Sequence, residues 1–145
     1  MTYQIENAGW RDLNGLRQLE RACFGQDAWP LLDLIAVLTF PGVIRLKATV
    51  EGQIVGFVGG EERNGEGIGW ITTLGVLPEY RHQGIARALL QACEKQINQP
   101  RLHLTVRRSN ESAIRLYRLA GYSQVDVWTH YYTGGEDGLV FEKRR

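Results

Sequence analysis

The sequence predicts one mixed α/β domain, spanning residues 1–145. Three observations carry that prediction. Two helical segments precede the main run of strands, three β-rich runs with turn signals follow, and helices then alternate with strands to the C-terminus. The first short strand is "TYQIENA". Trp10, Leu13, Leu16 and Leu19 recur every three residues, which places them along one face of a helix ending near Cys23. In "AWPLLDLIAVLTFPG", Pro30 sits where a first helical turn tolerates it and Pro41-Gly42 stops the chain, so a second helix lies between. The run from Val43 to Pro78 holds three strands, with turns at Glu51-Gly52 and Asn64-Gly65, and reads as an antiparallel meander. After it come a helix from about Gly84 to Ile97, the strand "RLHLTVR", a helix from about Asn110 to Ala120 closed by Gly121, and the strands "SQVDVWTHYY" and "GLVFEK".

Composition limits what such a domain does. With 43% hydrophobic and 23% charged residues in 145, the chain can bury one sizeable core. Its formal net charge of +1 calls for neither a nucleic acid nor a membrane surface as partner. Cys23 and Cys93 fall in helical segments outside any CxxC or Cys/His cluster, and read as reduced packing residues of a cytosolic protein. His82, His103 and His130 are scattered, so no metal set is visible. No stretch has the pattern of a targeting segment or a membrane span.

The stretch "GVLPEYRHQGIARALL" runs from a strand through a tight turn into a helix. Backbone N–H groups at a helix start point outward, and the dipole adds roughly half a positive charge, which suits a phosphate or pyrophosphate. Gly84 lets the backbone approach a ligand, Ala86 keeps the next approach narrow, and Arg81 adds a fixed charge. By itself the turn also fits a glycine needed only for backbone geometry. It is not a P-loop, because GxxxxGK[ST] is missing. Further on, "VRRSNESAIRLYRLAGY" places Asn110 at a helix start and Tyr117 seven residues later on nearly the same face. Taken alone, the pattern is better explained by Asn110, or Ser109 before it, as an N-cap and Tyr117 as part of a core stripe.

Together the two segments resemble the GNAT superfamily of acyl-coenzyme A-dependent N-acetyltransferases. The family's [RQ]xxGx[GA] turn is matched by Arg81, Gly84 and Ala86, and its NxxAxxLYxxxGF pattern by Asn110, Ala113, Leu116, Tyr117 and Gly121, with Tyr122 in place of the phenylalanine. The C-terminal "HYYTGGEDGLVFEK" looks like the subgroup that acetylates protein N-termini, including ribosomal-protein-alanine acetyltransferases. The resemblance implies the GNAT fold: a mixed, mostly antiparallel sheet of about six or seven strands, splayed at the cofactor site and flanked by about four helices.

It also implies acetyl-CoA as cofactor and an amine as acceptor. The pyrophosphate would take the backbone amides of His82, Gln83, Gly84, Ile85, Ala86 and Arg87, with Arg81 nearby. The pantetheine arm would pair with the backbone of Leu74 to Val76 and meet the side-chain amide of Asn110. The thioester would then lie close to Tyr117, whose phenol, near ~10, can donate to a thiolate near ~8.5. The N–H of Leu74 or Val76 would serve the oxyanion. No covalent enzyme intermediate is expected.

The general base is where the sequence departs from these relatives. The ribosomal-protein-alanine type carries a glutamate on the strand before the Asn/Tyr helix, and Thr105 stands there instead. His103 lies two residues earlier on the same face and can act directly or through water, though it is also an ordinary strand histidine; Glu61, Glu62, Glu66 and Glu136 are other carboxylates. The base stays unassigned at this level. A weak base suits an α-amine, already about a tenth neutral at pH 7, better than a lysine. Acceptor contacts are expected from Tyr131 and Tyr132 on a late strand, from Thr105, and from Phe24, Asp27 and Trp29 in the loop joining the first two helices; Asp126, Glu136 and Asp137 could also meet an ammonium group. A peptide amine leads, a small-molecule amine follows, and a non-catalytic acyl-CoA-binding module is the third possibility. Monomer and homodimer are both open.

Overall fold

In the computed structural model, residues 2–25, 28, 31–39, 41–63 and 65–145 are described, with the backbone alone for Leu31, Leu32 and Arg63. The elements run β1 (Gln4–Asn7), α1 (Leu13–Phe24), α2 (Leu31–Thr39), β2 (Val43–Val50), β3 (Gln53–Arg63), β4 (Ile68–Val76), α3 (Ile85–Gln96), β5 (Arg101–Arg107), α4 (Glu111–Leu119), β6 (Ser123–Trp128) and β7 (Gly138–Arg144). The strands hydrogen-bond in the order β1-β2-β3-β4-β5-β7-β6. β1–β2, β2–β3, β5–β7 and β6–β7 are antiparallel, whereas β4 and β5 pair in parallel, Ile68–Trp70 against Arg101–His103. This is the mixed, mostly antiparallel sheet with four helices that the sequence predicts.

The chain forms two compact units, and residues Met1–Glu61 and Ile71–Ile97 make the first. Its apolar periodicity explains its helices. Leu16 and Leu19 of α1 and Leu34, Val37 and Leu38 of α2 are buried with Phe57 of β3, and Leu13, Cys23 and Ile54 pack around them. Ile85, Leu89, Leu90 and Cys93 give α3 a fully buried stripe. Leu89 needs Gly56 beneath it, since a Cβ there would stand 2.9 Å from the leucine Cδ1. Trp10 does not share the α1 stripe. It sits in a 3-10 turn, Trp10–Asp12, at 68% exposure, with the Arg11 guanidinium over its ring. Asp12 takes the Gly9 N–H at 2.8 Å and Lys47 at 2.9 Å, so the α-helix proper begins only at Leu13.

The second unit is Glu62–Trp70 with Asn98–Arg145. Strict alternation along β5 gives it two faces. Leu102, Leu104 and Val106 are buried, each contributing about 1.5–3 kcal/mol, while His103, Thr105 and Arg107 are part-exposed on the other side. Leu104 pairs with Phe141 of β7, which carries Arg118 of α4 above its ring; Tyr117 of α4 meets Tyr122 at 6.0 Å. The helix therefore covers the leucine face. His103, Thr105 and Arg107 pair with Glu142, Val140 and Gly138 on the opposite face.

β6 ends earlier than the sequence predicts. After Trp128 the chain turns through His130, whose φ is +55°, so Tyr131 and Tyr132 lie in the loop before β7 and not on a strand. The Asp137 carboxylate accepts the His130 N–H at 3.1 Å and stabilises that turn. No helix among the described residues is long and apolar enough to cross a membrane.

Candidate active site

In the first unit the decisive local feature is the turn after β4. Val76 ends the strand, Pro78–Tyr80 forms a 3-10 turn, and Leu77 N–H donates to Val55 at 2.8 Å. The Val76 carbonyl accepts Arg81 Nε at 3.0 Å, which ties that guanidinium to the end of the strand. His82 and Gly84 both take left-handed φ values, +63° and +82°, and turn the backbone into α3. The first bond of that helix is Ala88 N–H to Gly84, at 3.0 Å, so geometry leaves the amides of Ile85, Ala86 and Arg87 pointing out of the helix start. Arg81, His82, Gln83, Gly84 and Arg87 are exposed there, and a Cβ on Gly84 would meet nothing within 4 Å.

An open cradle of amides with a positive dipole and an anchored arginine fits a pyrophosphate. Replacing Gly84 by alanine forces a Cβ into a left-handed residue at about 1–2 kcal/mol and sets it in the ligand's path. The expected result is a Kd for coenzyme A raised about tenfold, read by calorimetry, with Tm lowered only a few degrees. Nearby, Gly75 lets the first helix close on β4: a Cβ there would stand 3.1 Å from Phe24 Cζ and 3.2 Å from Cys23 Sγ. Phe24 thus lies directly against the backbone of Leu74 to Val76. Asp27 and Trp29 lie outside the described residues.

In the second unit Asn110 is the N-cap of α4, its Oδ1 accepting the Ala113 N–H at 3.2 Å. The cap and the ligand role are compatible, because capping uses the oxygen and leaves the amide nitrogen as a donor. Tyr117 is buried on the helix-covered face, and that burial pushes its phenol up to about 12.

The opposite face carries a row of rings. His103 meets Trp70 edge-on at 5.2 Å, Trp70 stacks on Trp128 at 5.8 Å, Trp128 meets Tyr131 at 5.1 Å, and Tyr131 meets Tyr132 at 4.9 Å. Thr105 and Tyr131 come together over Gly138, where a Cβ would stand 2.9 Å from one and 3.1 Å from the other. Arg107 closes the row, its guanidinium 4.8 Å above Tyr132 while it donates to Glu136 and to the Thr133 carbonyl, both at 2.8 Å.

The carboxylates of this unit sort clearly. Glu136 also accepts the Ser109 N–H at 2.7 Å; the bonds from Ser109 and Arg107 hold its carboxyl below the usual range. Asp137 is engaged by His130 and Arg108, and Asp126 accepts the N–H of Val127. Glu62 takes the Asn98 N–H at 2.5 Å. These groups bond to the unit's own backbone N–H groups and arginines. Glu142 is different, since its Oε2 lies 2.8 Å from His103 Nε2 on the ring face.

Sequence reasoning missed Glu142, Trp70, Trp128 and Arg107. Only the antiparallel register that sets His103 opposite Glu142 could have joined two residues 39 apart. Trp70, four residues before Leu74, was visible as a bulky residue on a strand, but strand aromatics ordinarily serve packing.

The profile of the acetyltransferase (GNAT) family matches residues 13–122. An N-alpha-acetyltransferase of Sulfurisphaera tokodaii is 31% identical, over 95% of this chain and 90% of its own. The N-terminal acetyltransferase A complex catalytic subunit NAA10 of Arabidopsis thaliana is 32% identical, over 96% of this chain and 76% of its own. Among solved structures, Arabidopsis thaliana NAA60 in complex with a bisubstrate analogue superposes with a TM-score of 0.87 at 26% identity, covering 99% of each chain. The ribosomal-protein-S18-alanine N-acetyltransferase of Escherichia coli shares the fold, with a TM-score of 0.87 at 24% identity over 99% of this chain and 94% of that one.

Proposed function

The chain belongs to the GNAT family of acetyltransferases and works with acetyl-CoA, and from that premise we propose that its acceptor is the free α-amine of a peptide or protein N-terminus. The names of its relatives support this reading: an N-alpha-acetyltransferase and the catalytic subunit of an N-terminal acetyltransferase complex. The observation that carries it is the ring-lined face of the second unit, where His103 stands beside Thr105 and the tyrosine loop. Such a face offers apolar contact to a peptide and an imidazole to its amine.

When bound, acetyl-CoA supplies a thioester whose C–S bond breaks as the acceptor nitrogen bonds to the carbonyl carbon. The chain's residues divide the remaining tasks. The amides of His82 to Arg87, with Arg81, hold the pyrophosphate; the backbone of Leu74 to Val76 and the Asn110 amide hold the pantetheine arm. Leu74 N–H, or that of Val76, donates to the carbonyl oxygen as it gains charge. His103 takes the proton that the nitrogen loses, and Tyr117 donates a hydrogen bond to the departing sulfur. Thr105, Tyr131 and Tyr132 of the second unit contact the acceptor.

The test is thiol release with three acceptor sets: short peptides with free N-termini, the same peptides blocked at the N-terminus but carrying lysine, and polyamines. Turnover confined to free N-termini supports the proposal. Preferential turnover of polyamines would replace it with a small-amine enzyme, and tight acetyl-CoA binding without any turnover would make the chain a binding module.

A further inference from the structure

His103 does not stand alone on its face. Directly across the sheet, Glu142 of β7 brings Oε2 to 2.8 Å from His103 Nε2, with side-chain exposures of only 10% and 13%. The carboxylate is itself fixed: Oε1 accepts Arg144 Nε at 2.8 Å, and Arg101 Nη1 lies 3.7 Å from Oε2. Bonds from Arg144 and from His103 hold the Glu142 carboxyl below the usual range, so it is ionised at neutral pH and can only accept. A carboxylate at 2.8 Å requires a proton on Nε2. In the neutral imidazole the proton acceptor is then Nδ1. Trp70 meets the imidazole edge-on at 5.2 Å and restricts how the ring can turn.

Resting on the reading that this face receives a peptide α-amine, we propose that Glu142 is a positioning residue which holds His103 as the Nε2–H tautomer, with Nδ1 as the atom that takes the acceptor's proton. As the N–C bond forms and the C–S bond breaks, the nitrogen gives one proton to Nδ1, the Nε2–H stays bonded to nitrogen and donated to Glu142, and the imidazolium then returns the gained proton to water. The pair replaces the glutamate that Thr105 lacks with a histidine two residues along the strand and a carboxylate on the adjacent strand.

Glu142→Gln is the informative substitution. Arg144 and Arg101 compete for the one oxygen of the glutamine, which turns its NH2 toward Nε2 and forces the proton onto Nδ1. The experiment combines ¹⁵N spectra of the imidazoles, with His103→Asn assigning the signal, and steady-state kinetics on a free-N-terminus peptide. The expected result is an Nε2–H tautomer in the wild type and an Nδ1–H tautomer in E142Q. With it, kcat falls roughly 10- to 100-fold while KM for acetyl-CoA and for the peptide moves less than threefold. Glu142→Asp should restore the tautomer and part of the rate, an outcome a packing role does not produce.

An Nδ1–H tautomer in the wild type overturns the proposal, and that spectrum decides the matter even if E142Q does not fold. A wild type active on peptides whose E142Q variant keeps both tautomer and kcat overturns it too, and leaves the α-amine reading intact. A wild type inert on every free N-terminus overturns both.

Discussion

Tyr117→Phe is expected to lower kcat for thiol release about 100-fold while the Kd for acetyl-CoA changes less than twofold. The size follows from what the phenol can and cannot do. Its burial pushes it up to about 12, so it is protonated at every pH at which the protein works. Full transfer of its proton to an alkyl thiolate near ~8.5 would run about 3.5 pKa units uphill, roughly 5 kcal/mol. The sequence alone, with a phenol near its ordinary value, made that transfer look easier. In the proposed reaction Tyr117 therefore acts as a hydrogen-bond donor to developing charge, and one such donor is worth on the order of 10²–10³ in kcat.

Phenylalanine keeps the ring against Tyr122, so the loss appears in kcat and not in folding or cofactor affinity. The sign of the pH dependence follows as well. A phenol raised by burial stays neutral below its ordinary value near ~10, so Tyr117 contributes no alkaline fall in rate below about pH 10. Any stability that depends on its neutral form is fully present below that value and is lost progressively as pH climbs from there through about 12. A variant with unchanged kcat would remove Tyr117 from the chemistry and leave it as a core residue.

The parts of this molecule that were legible in the sequence are those written locally. Gly84 announced its left-handed turn, Asn110 its cap, and the Leu102–Leu104–Val106 alternation its strand, because each depends on neighbours within a few positions. Tyr131 and Tyr132 looked like continued strand because they are β-formers, and tertiary contacts overrode propensity: Asp137 and Glu136 fold the loop back through His130 and Arg107. Trp10 kept helical spacing yet belongs to the turn that Asp12 sets.

The proposed base was illegible for a different reason. Thr105 showed that the usual carboxylate was missing, but Glu142 reaches His103 only through the β5–β7 register, a pairing of distant segments that no local pattern encodes. The pair consequently appeared as one lone histidine and one charged residue in a terminal strand. Carboxylates that looked available, such as Glu136, are engaged by their own loop, here by Ser109 N–H and Arg107.

Acceptor choice should depend on pH in a way that separates the α-amine reading from a lysine-directed one. An α-amine near ~8 is about a tenth neutral at pH 7, and a lysine near ~10.4 about one part in 2,500, a handicap of roughly 3.3 kcal/mol or over 200-fold. His103 can take a proton only as the amine attacks and does nothing to remove that handicap beforehand, so two peptides held equally well should differ by about that factor in kcat/KM. Raising the pH to 9 lifts the neutral α-amine about tenfold, to near saturation, and the neutral lysine about 100-fold, so the preference should shrink to about 20-fold. Deprotonation of the shared base affects both acceptors alike and cancels in the ratio. The measurement is kcat/KM for a free-N-terminus peptide and its blocked, lysine-bearing counterpart at pH 7, 8 and 9. A preference that stays constant across this range would mean that the ring-lined face selects by shape. A preference for lysine at pH 7 would mean that another group near the site deprotonates the acceptor before attack, and the assignment of His103 as the base would fall.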